Sequence, residues 1–283
     1  MPQSRIRRSR ALALSTLLPL FFAFAAPAAA QVVRGVEEPP YPDPYYQWRT
    51  DSSSKLLAGK PFAEEVLHRV PGSFHDAPRV PAESLEVEQR GKLLYGPGTP
   101  VYVGASICTV AAAGYDARGR MAAITAAHCG SPGTPVASAD SPDVGITGTV
   151  ATTNAELGYA LIELGDNAEV TRSYNGVTLA GVGGAGEVGD RVCKQGVASG
   201  YTCGEILSVE QRHVVSSVCA MQGDSGAPLL HDGNLIALVN GGVGTAETGI
   251  ACYSPLQGTF HDATHSIRMD AVLADLGSGF ALP

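Results

Sequence analysis

What the 283-residue chain has little of sets the first limits. Charged residues make up only 16% of it, and basic ones are the scarcer kind: 19 Lys and Arg against 27 Asp and Glu, a formal charge of −8. Four of the arginines (Arg5, Arg7, Arg8 and Arg10) fall in the first ten residues, and without them the balance is −12. A chain this acidic presents no electrostatic footprint for nucleic acid or anionic lipid. No C-x-x-C pair occurs, and His213, His231, His261 and His265 show no helical ligand spacing, so neither a metal nor another cofactor is expected. Beyond the first thirty residues no stretch is long and apolar enough to predict a membrane-spanning helix.

Those thirty residues read as an export signal. A cationic start without a single acid leads into the apolar run 11–30, which closes on Ala28-Ala29-Ala30 before Gln31. The mature protein is therefore expected outside the cell or in its envelope, with no membrane attachment once the signal is removed. Cysteine usage agrees. All six (Cys108, Cys129, Cys193, Cys203, Cys219 and Cys252) lie between 108 and 252, and an even count in an exported chain predicts three disulfides of open connectivity.

Two textures follow the leader. Residues 31–100 hold ten prolines and no cysteine, with an extended stretch at Pro39-Pro40-Tyr41-Pro42-Asp43-Pro44 and two predicted helices, at 61–69 and 81–94. This region reads as a pro-segment or N-terminal extension. From Val101 onward, apolar runs of four to eight residues alternate with glycine-rich turns, at 107–113, 121–126, 144–151, 159–164, 188–194, 206–209, 214–219, 235–239 and 250–253. That spacing predicts an all-β sandwich or barrel. Ile267, Val272, Leu273 and Leu276 fit one face of a short terminal helix.

Two segments carry chemistry. Thr125-Ala126-Ala127-His128-Cys129 ends one β-like run, and Gly223-Asp224-Ser225-Gly226-Ala227-Pro228 is a tight turn before another. A serine flanked by glycines on a turn exposes its hydroxyl, and the N–H groups of Gly223 and Ser225 can converge where an oxyanion forms. A hydroxyl becomes a nucleophile only when a base takes its proton, and histidine suits that role near neutral pH. In this order, in an exported β-rich chain, these residues resemble the chymotrypsin-fold serine proteases, especially the bacterial secreted branch with the Streptomyces griseus proteases and alpha-lytic protease. The resemblance spans about 101–283. It extends to Cys108 ahead of Cys129, to the Cys193–Cys203 hairpin with its following Gly204, to Cys219 six residues before Ser225, and to Leu238-Val239-Asn240-Gly241-Gly242.

The resemblance implies two six-stranded antiparallel β-barrels, about 101–175 and 176–283, with the active site between them and a short C-terminal helix. His128 is then the general base, Ser225 the nucleophile of an acyl-enzyme, and Gly223 with Ser225 the oxyanion donors. Asn240, Gly241 and Gly242 hold a protein or peptide substrate as an added strand. It also implies the pairs Cys108–Cys129 and Cys193–Cys203, which leaves Cys219 for Cys252.

The pattern breaks at one place. Where the family carries the aspartate that orients its histidine, this chain reads Glu156-Leu157-Gly158-Tyr159-Ala160-Leu161, with Gly158 at the aspartate position. Losing that carboxylate costs such a triad on the order of 10⁴-fold in turnover. Three accounts compete: Glu156 supplies the carboxylate, the Asn240 amide oxygen accepts from the ring, or nothing replaces the acid. In the last case the fold serves as a catalytically weak or inactive binding module of the cell envelope. Asp140, Asp143 and Asp166 are outside candidates, and Asp224 is expected to be buried against a positive group. Ser216, Ser217, Val218 and Ala220 bring no acid to the specificity pocket, and Val239 stands where glutamate-specific relatives carry histidine. A neutral apolar side chain is the expected choice.

Overall fold

A computed structural model describes residues 46–184, 186–244, 249–277 and 279–283. The predicted export signal and the Pro39–Pro44 stretch lie outside the described residues.

Short strands dominate because small and β-branched residues alternate with turn formers. Met121–Ala126 is buried at five of its six positions, and Ala122, Ala123 and Ala126 let its neighbours approach closely. It pairs antiparallel with Tyr159–Leu164 on one side and Ala112–Tyr115 on the other. The first sheet runs Ser106–Thr109, Pro100–Val103, Pro135–Ser138, Gly148–Asn154, Tyr159–Leu164, Met121–Ala126, Ala112–Tyr115. Its two outermost strands are halves of one bent run broken at Val110 and Ala111, so the sheet curls back on the strand it began with.

The second sheet runs Gly181–Val182, Asn234–Gly242, Pro228–His231, Arg191–Gly196, Gly200–Val209, His213–Ser216, Thr264–Arg268. A further pairing of Asn234–Gly242 with Thr264–Arg268 closes six of these strands into a barrel. Asp232-Gly233, both at positive φ, makes the tight hairpin that turns Pro228–His231 into Asn234–Gly242. A short helix, Met269–Asp275, follows the last strand and buries Met269 and Val272. The architecture is all-β with two barrel-like halves and a terminal helix, the form the sequence predicts. Among the described residues no helix is long and apolar enough to cross a membrane.

Three predicted elements are corrected. Residues 61–69 form no helix. Val66–His68 instead pairs with Gln47–Arg49, burying the adjacent Val66 and Leu67, while Phe62, which a helix would have set beside Val66, is fully exposed. The helix predicted over 81–94 is confined to Ala82–Glu88, because Leu93–Tyr95 is claimed by parallel pairing with Ala168–Val170. Residues 250–253 form no strand; Ile250 donates its N–H to Asp262 Oδ2 and Cys252 is held in a disulfide. The strands Pro100–Val103 and Pro135–Ser138 were missing from the sequence reading because each opens on proline, which signals a break.

Residues 46–100 wrap over both halves. Arg69 is completely buried, its Nη1 2.6 Å from Asp140 Oδ1 and its Nη2 donating to the Ala139 carbonyl at 3.1 Å. Tyr174 donates its hydroxyl to the same Asp140, and burial, with the carboxylate beside it, pushes the phenol well above its ordinary pKa. On the other side Ser73 Oγ donates to the Ala198 carbonyl at 2.7 Å, and His75 Nε2 lies 2.9 Å from the Cys252 carbonyl oxygen. Three disulfides, Cys108–Cys129, Cys193–Cys203 and Cys219–Cys252, complete the fold.

Candidate active site

His128 sits in the 3-10 turn Ala127–Cys129 directly after the Met121–Ala126 strand. The turn is fixed twice: Cys129 is bonded to Cys108, and the Ala127 N–H donates to the Gly158 carbonyl at 3.0 Å. Ser225 stands on the turn before Pro228–His231. Its carbonyl accepts from Thr109 N–H at 2.9 Å, and the next N–H, of Gly226, donates to Val239 O at 2.7 Å. Gly226 is obligatory there. Its φ is +86°, and a Cβ would lie 2.2 Å from both Thr109 O and Thr125 Oγ1. Residues of the first half thus hold the serine turn of the second against the histidine turn.

The result is a bonded pair: His128 Nε2 lies 2.8 Å from Ser225 Oγ. His128 is exposed and Ser225 partly so, which leaves the pair open to a reactant. Among the described residues neither the Gly223 nor the Ser225 N–H donates to a protein acceptor, leaving both for an oxyanion. Asn240, Gly241 and Gly242 line a cavity of about 380 Å³ with His128 and Ser225. Val239, Ala220 and Thr264 form further parts of its wall.

No carboxylate acts on the ring among the described residues. Burial lowers the His128 pKa, and the opposing influence comes from the Asn240 side chain, which favours imidazolium as a hydrogen-bond acceptor does. Asn240 Oδ1 is buried and has no hydrogen-bond partner among the described residues. For Nε2 to accept from Ser225 the ring proton must sit on Nδ1. The amide occupies space that Gly158 leaves vacant: a Cβ on Gly158 would stand 3.3 Å from Asn240 Nδ2 and 3.1 Å from Ile267 Cδ1. Glu156 is not brought to the ring. Its carboxylate is 79% exposed and pairs with Arg212 Nη1 at 2.6 Å. Asp140 is committed to Arg69.

The loop carrying Gly223 is held from below. Asp224 is fully buried and accepts from the N–H groups of Ala198 at 2.9 Å and Met221 at 3.1 Å, and from Ser199 Oγ. Its Oδ2 lies 3.3 Å from Lys194 Nζ, itself wholly buried and donating to the Gly200 carbonyl at 2.9 Å. Burial lowers the lysine's pKa and Asp224 opposes the shift. Sequence reading left this partner unnamed, although a signal existed: strand alternation puts Lys194 on the face of the buried Val192. It also passed over Asp262, which lines the cavity beside Gly242 with Oδ2 2.7 Å from Ile250 N.

Two barrel-like halves with a Ser–His pair in the groove between them define the chymotrypsin-type fold. The likeness to solved bacterial proteases is at that level. Thermobifida fusca Protease A matches at TM-score 0.52 and 24% identity, over 67% of this chain and all of that one. Nocardiopsis protease matches at TM-score 0.50 and 24% identity, over 65% of this chain and 97% of its own. An alpha-lytic protease homologue, N4, does so at TM-score 0.50 and 19% identity, again over 65% and 97%. No family model matches the chain, and no curated protein matches it in sequence.

Proposed function

We propose that the chain is an exported serine endopeptidase working through an acyl-enzyme on Ser225. The observation that carries this reading is the 2.8 Å Ser225 Oγ–His128 Nε2 contact in an open cleft beside two uncommitted N–H groups. Ser225 Oγ attacks the scissile carbonyl as His128 Nε2 takes its proton. The Gly223 and Ser225 N–H groups stabilise the resulting oxyanion, a donor of this kind contributing about 3–4 kcal/mol. Imidazolium then protonates the leaving amine, and water repeats the sequence on the ester. Asn240 Oδ1 orients the ring but carries no charge to stabilise imidazolium. Three disulfides support an oxidising destination, and the apolar Val239 and Ala220 in the cavity wall support a preference for apolar side chains on the acyl side, with the lining Asp262 engaged by the Ile250 N–H.

The test is a fluorophosphonate probe applied to the secreted protein beside its Ser225→Ala variant. Labelling of the native chain alone, with cleavage of a denatured protein substrate, is the expected result. Absence of labelling in both would favour the second reading, a binding module on a protease fold, to which the missing carboxylate points. Acid dependence gives an independent check. Because burial lowers the His128 pKa, kcat/KM should rise with pH through a midpoint below the ordinary histidine value of about 6.5. A midpoint above that value would mean that a carboxylate faces the ring after all.

A further inference from the structure

Resting on that reading, we propose that Val70 and Pro71 of the N-terminal extension form a wall of the subsite for the residue following the scissile bond. The subsite takes an uncharged, apolar side chain, and the extension stays with the mature enzyme.

Two cavities meet at the Ser225–His128 pair. One holds Asn240–Gly242 and receives the acyl part of an added strand. A chain passing Ser225 Oγ must leave through the other, of about 280 Å³, whose lining includes Val70, Pro71, Ile107 and the Cys108–Cys129 bridge. Among the described residues no Asp, Glu, Lys or Arg lines it. The lining mixes Val70, Pro71 and Ile107 with Ser106 and Gln222 but supplies no counter-charge, so it selects against charged side chains, which would lose water there without compensation.

The wall is built rather than draped. Val70 is buried in one cluster with Val197, Ala198 and Met221, with Ile107 packed against it. A Cβ on Gly223 would lie 2.8 Å from Val70 Cγ2, so the extension touches the loop that carries the oxyanion donor. On one side Arg69 ties it to Asp140; on the other, Ser73 and His75 tie it to Ala198 and Cys252, and Phe74 N–H donates to Tyr253 O at 2.8 Å. Pro71 is exposed at the rim and His128 remains exposed. The segment borders the cleft without filling it, which is the arrangement of a permanent wall. Removing it would strand Asp140 in the interior without its cation.

The test uses the full secreted chain and a mixed peptide library, with cleavage sites read by mass spectrometry. The native enzyme should favour Ala, Val, Leu and Ile after the cut and disfavour charged residues there by about tenfold or more. Pro71→Glu should move that position toward Lys and Arg by about tenfold, and Pro71→Lys toward Asp and Glu. Opposite shifts separate a charge effect from simple loosening of the wall, which would move both variants alike. Far-UV circular dichroism and thermal unfolding that match the native chain certify that both variants fold. A labelled enzyme whose leaving-side profile is absent, or unchanged by both substitutions, overturns the inference. So does an active chain whose mass begins after Gly96. Loss of labelling in the native chain strikes the serine-hydrolase reading instead.

Discussion

Asn240→Asp should make the enzyme faster, by on the order of 10² in kcat/KM. Exchanging the orienting aspartate of such a triad for asparagine lowers turnover about 10⁴-fold, and this chain already carries an asparagine amide at its imidazole. The substitution is nearly isosteric and supplies the charge that stabilises imidazolium in the transition state. A second readout goes with it. A carboxylate beside the ring raises its pKa, so the acid limb of the pH profile should move up in the faster variant. Asn240→Ala, which deletes the acceptor, should lose activity about tenfold or more. Steady-state hydrolysis of one peptide substrate across pH measures all three effects, and a rate unchanged within twofold in both variants would remove Asn240 from the ring's surroundings.

Restoring the aspartate at its usual place should fail. Gly158 has a φ of +76°, and its missing Cβ would press on Ile267 and Asn240. A non-glycine residue in that backbone region costs roughly 1–2 kcal/mol before any contact is counted. The Asn240 side chain and the Gly158 backbone have become mutually dependent, so the carboxylate is recoverable from one position and not from the other.

Lys194→Met is expected to destabilise the protein by about 3–5 kcal/mol, because it leaves Asp224 charged and unpaired in the interior. Both side chains are fully buried. Asp224 gathers the N–H groups of Ala198, Ser199 and Met221 around the loop that bears Gly223. Loosening it should therefore lower kcat more than it raises KM, since the loop it holds carries the Gly223 and Ser225 N–H groups proposed for the oxyanion. The double variant Lys194→Met/Asp224→Asn removes both charges and should regain a large part of the stability but less of the activity. Chemical denaturation of the single and double variants, with kinetics on each, separates the two effects. Equal stability in native and Lys194→Met proteins would mean that the pair contributes nothing to the loop.

The two halves of the candidate pair were legible because they are written locally. His128 follows a strand of small residues and Ser225 lies between two glycines that no other residue can replace without strain, so each motif carries its own geometry. Gly158 was equally visible as a gap. What filled the gap was not, since Asn240 reaches it from more than eighty residues away in a different half of the molecule, and Glu156, adjacent in sequence, turns outward to Arg212. The extension was the hardest to read. Its prolines and mixed charge suggest a pro-segment or an N-terminal extension, yet Arg69 is among the largest fully buried side chains. Its counter-ion, Asp140, lies 71 residues further along, a separation no local pattern can encode.

The wrapping of residues 46–100 also bears on how the chain reaches this state. Ser254 Oγ donates to the Leu57 carbonyl across 197 residues, and His75 meets Cys252 across 177. Part of the resting place of residues 46–100 is thus on surfaces contributed by residues near 250, synthesised much later. Closing such long loops is slow because entropy is lost before any contact rewards it. The belt is therefore expected to fasten late, leaving an interval in which the apolar Val70 lacks the Val197, Ala198 and Met221 that cover it.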